Sequence, residues 1–408
     1  MSFLSSTSID AKQIFYMAMY LLSCAITVLI FSFLYLPVSF SLILYLLLFF
    51  LKERLLVSLS INFTGFIVLL FLHMVSGDIS NKQYSSPHQK LILDPNFNYL
   101  NYPVNKSLLN ITVSKGDLGF VDNLPSEYLS DRNIDFITGK LGFRNKKDFV
   151  LGDILAVGDS YVVGIGGVDQ NDTISSKLEK YSGKGVYNLG FPGDPFNYYH
   201  RLLKYDELIK KSGGIILFAF EGNDLNCHNK KDSKNLEDNN FTSVIKSILG
   251  YRLTIFENML AYKIGFGIYH RAFSIITGKG IQTYRSVVNG NKVAFLKDYV
   301  DILYVDEICP KRLQEFTAIY DKYSNKIKLV VYIPTKGHIY FESLGNMKPS
   351  NIKAMAMEAL ATRYGVGFMD LTTAFLAKKT PAMLYFRDDS HWNSLGIDVA
   401  AKTISSRL

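Results

Sequence analysis

Two stretches near the start of the chain carry no charge at all. Residues 14–51 hold no Asp, Glu, Lys or Arg, nor do residues 55–75, and only Lys52-Glu53-Arg54 parts them. A bilayer span needs about 20 apolar residues, so the second stretch predicts one span. The first is long enough for two, turning at Leu36-Pro37, because proline interrupts a helix. A transmembrane region is therefore expected over 1–76, with spans at 14–35, 37–51 and 55–75. No small-residue cleavage site follows a single short apolar core, which disfavours a cleaved signal peptide. With Lys52 and Arg54 on the cytoplasmic side, everything after Gly77 is expected outside the cytoplasmic membrane. The expected product is a multi-pass membrane protein with an extracytoplasmic domain.

The pattern then changes twice. Residues 77–140 are polar and rich in Asn and Lys, and read as a tether with a few short strands. From residue 151 short apolar runs alternate with helical periodicity. Strands are expected at 154–157, 185–189, 215–220, 328–333 and 366–371, with helices at 173–181, 196–211, 310–324 and 350–364 and a closing helix after Gly396. Near-continuous apolar strands separated by helices predict a parallel sheet covered on both faces. Residues 225–310 interrupt this rhythm and show no clear strand. Within them, residues 244–276 read as amphipathic helices. Arg252, Glu257, Lys263 and Arg271 rule out a further span, since each costs about 3 kcal/mol at a helix centre. Packing on the sheet, a lid over a site and a face resting on the membrane remain open roles for this insertion.

Composition narrows the class. The chain has 408 residues, 48% of them hydrophobic, which excludes a disordered protein. The net charge of +8 lies almost wholly beyond residue 77. It describes either a mildly basic solvated surface or one suited to anionic lipid head groups or acidic glycans. No zinc-finger spacing or RNP-type motif points to nucleic acid. Of three cysteines, Cys24 lies in the first span, while Cys227 and Cys309 could pair as a disulfide outside the membrane. No C-x-x-C pair suggests redox chemistry. His228 and His338 read as surface residues, and His73 lies in the last span.

Ligands of an open parallel sheet bind beyond the carboxyl ends of its strands. Four segments fall there. The first strand ends in Gly158-Asp159-Ser160, the second in Asn188-Leu189-Gly190-Phe191-Pro192-Gly193, and the third in Glu221-Gly222-Asn223-Asp224. Near the C-terminus comes Asp388-Asp389-Ser390-His391-Trp392-Asn393. Each is weak alone, since Asn and Asp at a strand end usually make a turn. As a set they supply a serine, oxyanion donors and an acid–histidine pair, which is what nucleophilic acyl chemistry requires. Other readings fit worse. Gly164-Ile165-Gly166-Gly167 matches neither nucleotide-binding glycine pattern, the serine is not in G-x-S-x-G, and no H-E-x-x-H or second histidine cluster supports a metal.

These four segments resemble the four blocks of the SGNH (GDSL-type) hydrolase superfamily. The resemblance covers residues 141–408, beginning at Gly142-Phe143-Arg144-Asn145. It implies a three-layer α/β/α flavodoxin-like fold with a parallel sheet, here with a helical insertion at 225–310 and preceded by transmembrane helices. It implies Ser160 as nucleophile and His391 as general base, with Asp388 or Asp389 orienting the histidine. The usual family spacing selects Asp388, whereas the Asp-x-His-Trp-Asn form of membrane-associated relatives selects Asp389. The implied oxyanion hole is the backbone N–H of Ser160 and Gly193 with the side chain of Asn223. No cofactor and no metal are implied. The implied activity is a serine esterase acting on an acylated, above all acetylated, cell-surface glycan or lipid. The alternative is an O-acyltransferase for an extracytoplasmic polysaccharide, with a membrane transporter supplying the acyl donor. A non-catalytic glycan-binding or scaffold member is the second alternative.

Overall fold

The computed structural model describes residues 87–92, 100–122, 124–226, 283–305, 307–345, 348–380 and 382–408. The expected spans, the 244–276 stretch, Cys24, His73, Cys227 and His228 lie outside the described residues. Among the described residues no helix is long and apolar enough to cross a membrane.

The chain runs α1 (Pro87–Ile92), β1 (Ser107–Val113), α2 (Asp117–Val121), β2 (Arg132–Ile137), β3 (Ile154–Val157), α3 (Ser160–Val163), α4 (Ile174–Ser182) and β4 (Val186–Asn188). It continues with α5 (Pro195–Lys204), α6 (Asp206–Lys211), β5 (Gly214–Phe220), β6 (Thr283–Val288), β7 (Asn291–Leu296) and α7 (Lys297–Asp301). The last part is α8 (Pro310–Tyr323), β8 (Ile327–Ile333), α9 (Lys336–Ile339), α10 (Ile352–Arg363), β9 (Gly367–Asp370), α11 (Thr372–Lys378) and α12 (Ser394–Ser405).

Strands β3, β5 and β8 are apolar along nearly their whole length because both faces are covered. They pair in parallel within a five-stranded sheet of order β4-β3-β5-β8-β9. Leu155, Val157, Leu217, Ala219 and Val330 face one way, against Leu202 of α5, Phe316 of α8 and Met357 of α10. Ile154, Ala156, Ile216, Phe218 and Val331 face the other, against Leu178 of α4, Phe375 of α11 and Ile397 of α12. Period-two alternation of buried residues thus builds two cores on one sheet, each fully buried aliphatic side chain stabilising by about 1.5–3 kcal/mol. The layering and strand order are those of a flavodoxin-like α/β/α fold.

Local chemistry sets the helix ends. Asp194 and Asn197 form a reciprocal capping box with Pro195 at the first helical position of α5, and Gly183 closes α4 in the left-handed conformation. The single helix expected over 196–211 is two. Tyr205 leaves helical geometry with its ring 5.2 Å from that of Phe143, and Asp206-Glu207 open a fresh turn.

A second difference concerns the insertion. Its last part is a two-stranded antiparallel hairpin, β6–β7, followed by α7. The turn is Asn289-Gly290, both with positive φ (49° and 77°), which is what a two-residue hairpin turn demands. Its inward residues Val293 and Phe295 join the sheet's second core. Within the 77–140 segment β1 and β2 pair antiparallel, and α2 between them docks on the C-terminal loop. Cys309 is disulfide-bonded, while Cys227, its expected partner, is outside the described residues.

Candidate active site

Strand β3 stops at Gly158 and delivers Asp159-Ser160 to the sheet edge, between β4 and β5, where the strand order reverses. Asp159 caps α3 by accepting from the Tyr161 N–H at 2.9 Å, so the serine opens a helical turn with a fixed direction. Ser160 remains partly accessible.

The loop 386–391 brings the partners. His391 Nε2 lies 2.7 Å from Ser160 Oγ, and His391 Nδ1 lies 2.6 Å from Asp389 Oδ1. With Nδ1 donating to the carboxylate, Nε2 is the nitrogen free to accept from the serine. Asp389 Oδ1 also accepts the His391 backbone N–H at 2.9 Å, so one oxygen fixes both main chain and ring. Of the two aspartates in question, Asp389 meets the histidine. Asp388 is fully buried and pairs instead with Arg132, whose guanidinium sits 4.2 Å above the Phe386 ring.

Electrostatics follow from this packing. Burial disfavours a charged His391, but Asp389 against Nδ1 outweighs it, with Asp117 and Asp159 adding to the effect, and the imidazole is lifted to about 9. Burial also disfavours a charged Asp389, yet His391 and Arg132 hold its carboxyl well below the usual carboxylate range. Trp392 is completely buried behind the histidine, donating to Tyr161 O at 3.2 Å. The Tyr161 ring lies 4.7 Å from that of His391.

Gly193 and Asn223 meet at the same edge. Asn223 Nδ2 lies 3.4 Å from Gly193 O and 3.5 Å from Asp159 Oδ2. Both contacts are long, so the amide can turn toward a stronger acceptor. Gly193 has φ 152°, and a Cβ there would meet Asn197 Oδ1 at 2.7 Å. The glycine is thus required by the capping box of α5. The Asn223 turn is set from below: Asp224, fully buried, accepts from Phe220 N at 2.8 Å and from Tyr198 Oη at 3.0 Å.

Several supporting residues were not evident in the sequence pattern. Arg201, fully buried, donates to the carbonyls of Gly158, Leu189 and Phe191 at 3.0–3.2 Å, joining the serine loop to the Gly193 loop. Arg144 donates to Val163 O, Gly164 O, Val168 O and Asp135 O, bracing the turn after Ser160. His338 is not a surface residue: it is buried, with Nδ1 2.6 Å from Glu221 Oε1. That pair holds the end of β5 to α9, because Glu221 also accepts the Thr335 N–H. Its only sequence signal was a glutamate at a strand end.

Asp117, Asp389 and His391 offer ligand atoms within 4.8 Å of one another. Those atoms are already engaged, Asp389 with His391 and Asp117 with Ser390, and the donor set fits a hydrogen-bonded relay better than a metal site.

Comparison with known proteins agrees with this picture. The family model for the SGNH hydrolase-like domain of the acetyltransferase AlgX matches residues 312–408. The probable alginate O-acetylase AlgJ of Pseudomonas syringae pv. tomato is 28% identical over 91 residues, 22% of this chain and 23% of that protein. The chain thus matches about a quarter of that relative's length. A carbohydrate esterase family 2 enzyme with a carbohydrate-binding domain, from Corynascus thermopiles (Myceliophthora fergusii), is 10% identical. It covers 69% of this chain and 74% of that one with a TM-score of 0.29, too low a likeness to carry an argument. Sequence blocks, strand order and family match point the same way: the C-terminal part of the chain, which carries Asp389 and His391, resembles the SGNH hydrolase-like domain of O-acetyltransferases.

Proposed function

We propose that this chain is an SGNH-type serine enzyme that moves an acyl group, an acetyl above all, onto or off a carbohydrate hydroxyl. The observation that carries the reading is the continuous line from Ser160 Oγ through His391 to Asp389, with spacings of 2.7 and 2.6 Å. As Oγ attacks the ester carbonyl carbon, His391 Nε2 takes its proton, and Asp389 stabilises the imidazolium. The backbone N–H groups of Ser160 and Gly193 and the Asn223 amide would receive the oxyanion, each donor contributing about 3 kcal/mol. Collapse expels the alcohol, which takes the proton from His391, and leaves the acyl group on Oγ. Water or a sugar hydroxyl then attacks that ester with the same base.

Water makes the protein an esterase; a sugar hydroxyl makes it an O-acyltransferase. Similarity to proteins named as an acetyltransferase and an O-acetylase favours transfer. The charge-free stretches before residue 76 support a membrane anchor with the site facing the cell envelope. A membrane partner would then supply the acyl donor.

The test is acetyl release by the full chain from p-nitrophenyl acetate, with and without an oligosaccharide, beside Ser160→Ala. Nitrophenol release above the variant is expected, with acetylated sugar by mass spectrometry when the acceptor is present. Release equal to that of the variant overturns the reading. Release without acetylated sugar assigns the chain to the esterases.

A further inference from the structure

The loop that carries Asp389 and His391 does not hold itself in place. Four consecutive N–H groups from the segment at the start of α2 point at it. Gly116 N donates to Asp388 Oδ2 at 3.0 Å, Asp117 N to Asp389 Oδ2 at 2.9 Å, and Leu118 N and Gly119 N to Asp388 O at 3.1 and 3.0 Å. The Asp117 side chain returns the contact: Oδ1 accepts the Ser390 N–H at 2.7 Å, and Oδ2 accepts the Ser390 hydroxyl. Asp117 thereby grips the residue between the acid and the base. Its Oδ2 lies 3.9 Å from His391 Nδ1, beyond hydrogen-bond length, so its hydrogen bonds reach the imidazole only through the loop, while its charge adds a lesser part to the field that lifts the ring.

Two further observations say that this fit is close. A Cβ on Gly116 would lie 2.4 Å from both Asp388 O and Asp389 Cβ. Its φ is an ordinary −77°, so glycine is needed there for proximity, not for backbone conformation. Lys336 Nζ also donates to Phe386 O, Arg387 O and Asp389 O at 2.6–3.2 Å, and Ala294 N of β7 donates to Arg387 O at 2.9 Å. The loop is held by α2, β7 and α9 together.

We propose that Asp117 is a positioning residue for the Ser160–His391–Asp389 line, and that the Gly116–Gly119 segment is built to set the register of the acid loop. The inference rests on the acyl-serine reading above and adds to it a contribution from outside the segment resembling SGNH proteins. It asks for an experiment in which His391 must activate Ser160 but no acyl acceptor is needed. Labelling of Ser160 in the full chain by a fluorophosphonate probe meets that need.

Asp117→Ala and Gly116→Ala should slow the limiting labelling rate about 10- to 100-fold, as small misplacements of catalytic groups do, with the half-saturating probe concentration unchanged. Asp117→Asn should stay within a few-fold of the wild type, since its amide can still serve both Ser390 groups. An Asp117→Ala protein with wild-type circular dichroism and wild-type labelling overturns the inference. So does an Asp117→Asn as slow as the alanine variant, which would assign the effect to charge. A wild-type chain that resists the probe, or a Ser160→Ala that is labelled equally, instead sinks the acyl-serine reading on which the inference stands.

Discussion

In the proposed mechanism, Asn223 and the His391–Asp389 pair can each be questioned alone. Asn223 holds its amide between two distant acceptors, so it has donor capacity to spend on an oxyanion. Its replacement by alanine should lower kcat about 10²- to 10³-fold with little change in KM, the usual cost of one oxyanion donor. Steady-state turnover of an activated ester reads this directly. His391 predicts a pH dependence whose sign can be worked out. With Asp389 lifting the imidazole to about 9, the share of neutral His391 able to take the serine proton grows as the pH rises toward that value. Probe labelling of Ser160 should therefore rise with pH through the region of about 9 and level off above it. Asp389→Asn removes the main lifting charge, so the rise should move to lower pH while the plateau falls.

At the level of elements, the arginines that tie loops together are the sensitive points. Arg144 and Arg201 are fully buried and bond almost entirely to carbonyl oxygens. Removing Arg144 leaves four carbonyls without that partner, three in the turn after Ser160 and one on β2. Arg144→Ala should lose about 3 kcal/mol or more, measured as a lower urea midpoint with the slope unchanged. Much at this scale was legible in sequence. The strands β3, β5 and β8 announced themselves as apolar runs, and β3 and β5 bring Ser160 and Asn223 to the end the topology required. The β6–β7 hairpin was not read as strands, although Asn289-Gly290 between β-rich runs is a strong turn signal. It was hidden by the aromatic, helix-like stretch before it. His338 and Glu221 were not legible, since a pair 117 positions apart leaves no local periodicity.

For the whole molecule, the sequence boundary and the physical boundary differ. The four blocks placed the start of the domain at 141. Yet Gly116 and Asp388, 272 positions apart, meet in the site, and Arg132 neutralises Asp388. No spacing rule reaches so far, which is why residues 77–140 read as a tether. The described residues before 141, from Pro87 on, belong with the sheet in one compact unit. A chain starting at 81 should label with the fluorophosphonate probe as the full chain does. One starting at 141 should lose labelling, and its thermal midpoint should drop or its unfolding broaden. Equal labelling by both would show that the early strands are dispensable.

All of this turns on whether Ser160 becomes acylated. The direct measurement is peptide mass spectrometry of the protein quenched in acid during turnover of p-nitrophenyl acetate. The account predicts one acetyl group on the peptide that carries Ser160, absent from Ser160→Ala and lost again as the donor runs out. Acetylation confined to other residues, or turnover with Ser160 unmodified and undiminished in the alanine variant, would contradict it.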